Sequence, residues 1–229
     1  MPALPDLPTA VLGLYAGAIQ PLAGGRPSAI LKRPLRSEAE LGALGLAGDC
    51  QADKRLHGGR DKALHQFPSE HYLALAQAFP AIGELLTPGS IGENISSLGM
   101  TETTVCLGDI YALGEARIQV TQPRSPCGKI DRRYGVDGLA KHIQHSGSCG
   151  WYYRVLQGGT VRAGASLALL EREMDAVSLA VFHATLRDTR PPLERLERLI
   201  GMEVLGAEWL KKLRGRLSWL ARHTSIHPT

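Results

Sequence analysis

The stretch Gln122-Pro123-Arg124-Ser125-Pro126-Cys127 holds the residue best suited to chemistry, a cysteine framed by positive charge from Arg124, Lys129, Arg132 and Arg133. Positive neighbours favour thiolate over thiol, and a soft thiolate is a suitable ligand for a soft or high-valent metal centre. The two prolines stiffen the turn and remove backbone donors, so the chain leaves the preceding element in a fixed direction. The competing reading is an inert buried cysteine with its basic neighbours in solvent, a common fate of free thiols. A second segment, His57-Gly58-Gly59-Arg60-Asp61-Lys62-Ala63, combines paired glycines with His57, Arg60 and Lys62. Glycines let a backbone approach a ligand closely, and the three side chains could hold an anion by charge-assisted hydrogen bonds. A tight turn with solvated charges accounts for the same residues. Lys32, within Ala29-Ile30-Leu31-Lys32-Arg33-Pro34-Leu35, reads as a ligand contact or as an exposed strand position. Gly92-Glu93-Asn94, after Pro88-Gly89, reads as part of a site or as a turn in which Asn tolerates left-handed geometry.

The elements that must position these residues fall into two regions. From Thr9 to about Leu170, short apolar stretches alternate with Gly and Pro, and Val11–Tyr15, Ala29–Leu35, Ile110–Leu113, Arg117–Thr121, Tyr152–Leu156 and Ser166–Leu170 read as strands. In Arg117–Thr121, Ile118 and Val120 alternate with Arg117, Gln119 and Thr121, the pattern of a strand buried on one face. Cys127 therefore lies just past a strand end. Ser69 is placed to cap a helix through Ala78, with Tyr72, Leu75, Ala76 and Phe79 on one side, and Asp137 to start another through Leu139 and Ile143. After about Ala176 the period becomes helical. Ser178–Leu186, Pro192–Ile200 and Gly206–Arg222 form three short helices, with Leu193, Leu196 and Ile200 on one face and Trp209, Leu213, Leu217 and Leu220 on another. None would be stable alone, but together they can share a small core. The expected organisation is a mainly β, α+β barrel over 9–172 with inserted helices, then a three-helix domain over 176–222. His223–Thr229 reads as a frayed tail.

Bulk properties narrow the field. The 229 residues are 44% hydrophobic and 21% charged, enough apolar material for a real core, and the net charge of +4 permits an anionic ligand without specifying one. Lys211, Lys212, Arg214 and Arg216 interleave with Glu194, Glu197, Glu203 and Glu208, which reads as a solvated face rather than a nucleic-acid surface. No apolar run reaches membrane-spanning length, and Met1–Pro8 lacks a basic start followed by an apolar core, so the expectation is a cytoplasmic chain. Cys50, Cys106, Cys127 and Cys149 lie far apart without a CxxC pair, which argues against disulfides and against a zinc site.

Read in order, several segments together resemble the MOSC family, named for the C-terminal domain of molybdenum-cofactor sulfurases. They are Lys32 in Ile-Leu-Lys-Arg-Pro, Gly48-Asp49 with Gln51-Ala52-Asp53, His57-Gly58-Gly59, Gly92-Glu93-Asn94, Gly108-Asp109, Gln122 to Cys127, and Ser146-Gly147 with Gly150-Trp151-Tyr152. The resemblance runs from about Leu12 to Leu170, and the helical remainder looks like the appendage of a bacterial stand-alone subgroup. It implies a MOSC-type β-barrel and a molybdenum cofactor (molybdopterin). Cys127 would be the protein ligand to the metal, Lys32, His57 and Arg124 would lie near the pterin and its phosphate, and Asn94 would shape the pocket. Cys50, Arg60 and Gly128 depart from the commonest family pattern.

What the resemblance further implies is reduction of N-hydroxylated small molecules, such as 6-hydroxylaminopurine and related bases, with Cys127 and His57 in the catalytic set. His57 would serve as a proton donor, since histidine titrates near neutrality, or would only brace the glycine turn. No flavin, haem or iron–sulfur signature is present, so an external flavin- or iron–sulfur-containing reductase is expected as electron donor. Two alternatives stand beside this reading. Cys127 could carry a persulfide for metal–sulfur cofactor chemistry, or the chain could bind the cofactor without its own turnover.

Overall fold

Seven strands close into a barrel in the computed structural model, which describes residues 8–224. They are β1 (Thr9–Ala16), β2 (Leu64–Pro68), β3 (Ile95–Ser97), β4 (Ile110–Leu113), β5 (Ala116–Pro123), β6 (Trp151–Gln157) and β7 (Ser166–Glu171). Their order around the barrel is β7-β4-β5-β6-β2-β3-β1, and the pairing of Thr9 with Leu167 closes the ring. Only β2 and β3 run parallel. Closure satisfies every strand edge, which an open sheet of this size would leave exposed.

Alternation builds the wall. Ile118 and Val120 of β5 are fully buried while Arg117 and Gln119 are not, as the pattern predicts. Trp151 and Tyr153 of β6 and Tyr111 of β4 fill the same interior. Thr121, which that alternation places outward with Arg117 and Gln119, is instead buried, as are Gln122 and Pro123, because its hydroxyl is taken up by the Asp61 and Tyr152 carbonyls. Here the strand passes under other elements before it delivers Arg124.

The helices inserted between strands are α1 (Lys54–His57), α2 (Glu70–Ala78), α3 (Lys129–Tyr134) and α4 (Leu139–Ser146). Tyr72 and Leu75 of α2 pack with Ile130 of α3 and Leu139 and Ile143 of α4 in a second apolar cluster outside the barrel. The capping differs from expectation in two places. Ser69 is itself helical in conformation and makes no capping bond. Asp137 does not start α4; Asp131 caps it from α3, accepting from Ala140 N at 2.7 Å and Gly138 N at 3.3 Å.

Three helices follow the barrel: α5 (Leu179–Arg187), α6 (Leu193–Ile200) and α7 (Ala207–Thr224). Ser178 caps α5 as its residue type suggests, accepting from Val181 N at 3.2 Å. Phe182, Leu196, Leu199, Leu213 and Leu220 join the same apolar cluster as the barrel interior, so the helices and the barrel share one core. His223 and Thr224 continue α7 rather than fraying, and residues 225–229 lie outside the described region. No helix among the described residues is long and apolar enough to cross a membrane.

The stretch Ala29–Leu35 is not the strand its apolar content predicts. Only Arg33–Pro34 pairs, with Ala16 and Tyr15 of β1. Ala29 and Ile30 are buried against a cavity instead, and Arg133 Nη1 pins the Ile30 carbonyl at 2.6 Å.

Candidate functional site

The cavity is assembled from loops at strand ends. It is partly open to solvent at its mouth. Lys32, His57, Asn94, Arg124 and Cys127 all line it. Five residues far apart in sequence, drawn together by the family resemblance, thus line one cavity.

Each is held by local structure. Arg124 continues from β5, and its main-chain N–H donates to the Gly150 carbonyl at 3.0 Å. Its side chain is buried, donating from Nη2 to the Ile91 carbonyl at 3.0 Å, while Nη1 has no partner. Cys127 follows the second proline and accepts Ile130 N at its carbonyl at 3.0 Å as α3 begins. Its thiol is half-buried at the cavity wall rather than sealed in the apolar interior. His57 ends α1, a turn capped by Asp53 accepting from Arg55 N at 3.0 Å. Gly59 follows with φ of +100°, a conformation that side-chain-bearing residues avoid.

Lys32 is anchored rather than solvated. Its Nζ lies 2.6 Å from each oxygen of Asp49, whose carboxylate also accepts from Gly17 N at 2.9 Å and Asn94 Nδ2 at 2.9 Å. The same Asn94 amide nitrogen donates to the Tyr15 carbonyl at 3.1 Å, and its oxygen accepts His65 N at 3.0 Å. Asn94 is therefore the junction of β1, β2 and the Lys32–Asp49 pair.

Sequence reasoning missed several wall residues. Asp49 had only its place after Gly48 as a signal, and its partner Lys32 is 17 residues away. His65 and Tyr152 were also unassigned; their rings lie 5.4 Å apart. Lys62 and Lys129 reach the cavity, whereas Arg60 and Arg132 are exposed and Arg133 is spent on Ile30. Cys50 lines the cavity as a second thiol. Gly108-Asp109 does not belong to it: Asp109 is buried against Arg172, with Oδ1 to Nε 2.7 Å.

The field inside is positive. Lys32, Lys62, Arg124 and Lys129 face a single acidic side chain, Asp49, among the described lining residues. Burial lowers the His57 pKa, with Lys129, Arg124 and Lys62 adding to the effect and Asp53 opposing it. Burial drives His65 well below its usual value, again helped by Arg124 and Lys32. Lys32 is lowered by burial against the opposing pull of Asp49. Burial raises Tyr152, partly offset by Arg124. Both histidines are thus neutral near pH 7, and an anion in the cavity would meet fixed cations and the unpartnered Nη1 of Arg124. A buried donor without a partner is costly, and Arg124 Nη1 is such a donor at the cavity wall.

A closed seven-strand barrel thus carries a cationic cavity with Cys127 in its wall. The MOSC domain model matches residues 53–168. The chain is 40% identical over 207 residues to Protein YiiM of Escherichia coli, covering 89% of this chain and 90% of that one. The structure of YiiM from Geobacillus stearothermophilus superposes with a TM-score of 0.78 at 32% identity, over 92% of this chain and all of that one. A protein named Reductase from Gibberella moniliformis is 35% identical over 168 residues, which is 72% of this chain but 30% of that protein. The chain belongs to the MOSC family.

Proposed function

We propose that this protein binds the molybdenum cofactor in the cationic cavity and reduces N-hydroxylated small molecules there, hydroxylated nucleobase analogues among them. The observation that carries this reading is the convergence of a half-buried thiol, Cys127, with the unpartnered guanidinium nitrogen of Arg124 in one cationic cavity. The donor set fits the group. A soft sulfur suits a metal already held by sulfur, and Arg124 with Lys129 and Lys62 suits a phosphate. The fungal relative named Reductase supports redox chemistry.

When bound, the cofactor would supply a metal able to take an oxygen atom and to be re-reduced two electrons at a time. The protein's part is to hold, orient and protonate. Cys127 would ligate the metal; Lys32, Arg124 and Asn94 would frame the pterin side. The overall reaction is R–NHOH + 2 e⁻ + 2 H⁺ → R–NH₂ + H₂O, with electrons from a flavin- or iron–sulfur-containing reductase. Burial, with Lys129, Arg124 and Lys62 adding to it, lowers the His57 pKa and favours the neutral ring near pH 7. An anionic ligand would counter those charges and raise its pKa, which converts it from a poor proton carrier into a donor at Nδ1 or Nε2.

The test is metal and pterin analysis of the full chain purified from a host that makes the cofactor. The expected result is molybdenum and pterin near one per chain, with the metal lost in Cys127→Ser. Protein free of both would overturn the reading. A labile extra sulfur on Cys127 without molybdenum would favour a persulfide carrier, and bound cofactor without turnover on hydroxylamines would leave a binding protein.

A further inference from the structure

Glu102 is buried, lines no part of the cavity, and bonds to α2, to α5 and to the loop before β6. Its Oε1 accepts the Gly150 N–H at 2.8 Å, and its Oε2 lies 2.7 Å from Nε2 of His71 on α2. Its main-chain carbonyl accepts Ala180 N at 2.7 Å in the first turn of α5. The adjacent Leu179 N donates to Val105 at 3.0 Å, so the 102–105 turn and α5 are joined twice.

Gly150 passes this anchorage to the cavity wall. Its carbonyl accepts Arg124 N at 3.0 Å. Its backbone sits at φ +71°, and a Cβ there would lie 2.1 Å from the Gln66 carbonyl and 3.0 Å from His65 Nε2. The glycine is therefore wedged between two cavity-lining residues, His65 and Arg124, and Nη1 of Arg124 is a buried nitrogen without a partner. A carboxylate gripping its N–H makes a stronger bond than a neutral acceptor would. Holding donors in place before a ligand arrives lowers the cost of binding it.

We propose that Glu102 is a positioning residue, braced by His71 and by the C-terminal helices, which fixes Gly150 and thereby sets Arg124 and His65 at the cavity wall. The helices after the barrel then contribute to the site without entering it. This role rests on the reading of the cavity as an anion site, and the experiment separates the two.

The full chain would be prepared as wild type, Glu102→Ala, Glu102→Gln and His71→Ala. Two quantities are read: the NMR resonance of Arg124 Nε–H with amide exchange at Gly150, and the affinity for inorganic phosphate by calorimetry. In Glu102→Ala, Gly150 exchange should quicken and the phosphate Kd should rise, each about tenfold, as loss of one charge-assisted bond implies. The Arg124 resonance should shift or broaden. Glu102→Gln keeps an oxygen for the Gly150 N–H and should restore phosphate affinity to within about threefold. Should Glu102→Ala fail to fold, His71→Ala carries the test, with the same directions and smaller size. An unmoved Arg124 resonance and unchanged phosphate affinity in a folded variant would overturn the role, as would losses that track global stability alone. If wild type binds no phosphate while Arg124 responds as stated, the positioning role stands and the anion-site reading falls.

Discussion

Lys32 and Asp49 form a buried ion pair, with Nζ 2.6 Å from both carboxylate oxygens and side chains only 7% and 2% exposed. Two isolated charges at this depth would be untenable; here Gly17 N and Asn94 Nδ2 supply the remaining donors to the carboxylate. Such a pair adds little net stability over an apolar pair of the same shape, but removing one partner strands the other charge. Asp49→Ala should therefore destabilise the fold by about 3–5 kcal/mol, the usual cost of breaking a buried pair. Urea unfolding of the variant checks this. A loss near that of a surface substitution would mean that water reaches Lys32 in the folded state.

Glu93 is a second buried carboxylate, and it serves the fold rather than the ligand. Its Oε1 accepts Tyr72 OH at 2.5 Å, Gly89 N at 2.6 Å and Ser96 Oγ at 2.9 Å, and its Oε2 accepts Ile91 N at 3.1 Å. The 89–93 turn that presents Gly92 and Asn94 to the cavity is thus wound around one side chain. Tyr72→Phe removes a hydrogen bond to a charged acceptor, with a longer one that the hydroxyl accepts from Ile91 N at 3.3 Å, and should cost about 1.5–3 kcal/mol. The ring stays against Phe67, so the change isolates the hydroxyl. Chemical denaturation with an unchanged urea m-value measures it, and a neutral substitution would show that the other donors satisfy Glu93 alone.

These two carboxylates also mark how far the sequence could be read. Where one face of a strand is buried, alternation exposes it, and Arg117–Val120 was legible for that reason, whereas Ile110–Leu113 was legible only from its short apolar run. The stretch Leu64–Pro68 is buried at every position, so it carries no period-two signal and its His65 went unassigned. Ala29–Leu35 misled because its apolar residues face a cavity and a neighbouring loop instead of a sheet partner. The short α3 directly after Cys127 has too few turns to show a helical face. Cys127, Arg124, His57, Lys32 and Asn94 could be singled out by residue type, motif order and neighbours. Asp49 and Glu102 could not, since their roles depend on partners brought together only by barrel closure.

Buried neutral histidine makes stability depend on pH. His65 has its pKa driven well below 6.5 by burial, Arg124 and Lys32, and His57 and His183 are lowered too. As pH falls below about 6.5 the unfolded chain takes up protons that the folded protein refuses. The unfolded state then holds more protons, so stability declines on acidification and recovers as pH rises through that range. Each such histidine contributes at most about 1.4 kcal/mol per pH unit. Urea unfolding at about pH 7.5 and pH 5.5 should show the decline, and His65→Gln should flatten it by up to that slope. An identical pH dependence in the variant would mean that His65 is protonated in place.

The four thiols divide by environment, and chemistry should report the division. Cys106 and Cys149 are buried, with pKa values pushed up by burial and by Asp109 or Glu102 to about 11 and about 12. Cys149 in addition donates from Sγ to the Ile143 carbonyl at 3.3 Å. Thiols in that state are inert, because the thiolate is the nucleophile and access is blocked. Cys50 is exposed and Cys127 half-buried, and both line the cavity. Brief treatment of the cofactor-free chain with iodoacetamide at about pH 8 should alkylate Cys50 and Cys127 and spare the other two until the protein is unfolded. Peptide mass spectrometry reads each site separately. Cys127→Ser should leave the modification of Cys50 and the unfolding midpoint nearly unchanged, since the side chain lies at a cavity wall and not in the core. Protection of Cys127 equal to that of Cys106 would place its sulfur out of reach of any ligand in the cavity, and the assignment of Cys127 as a metal ligand would fail with it.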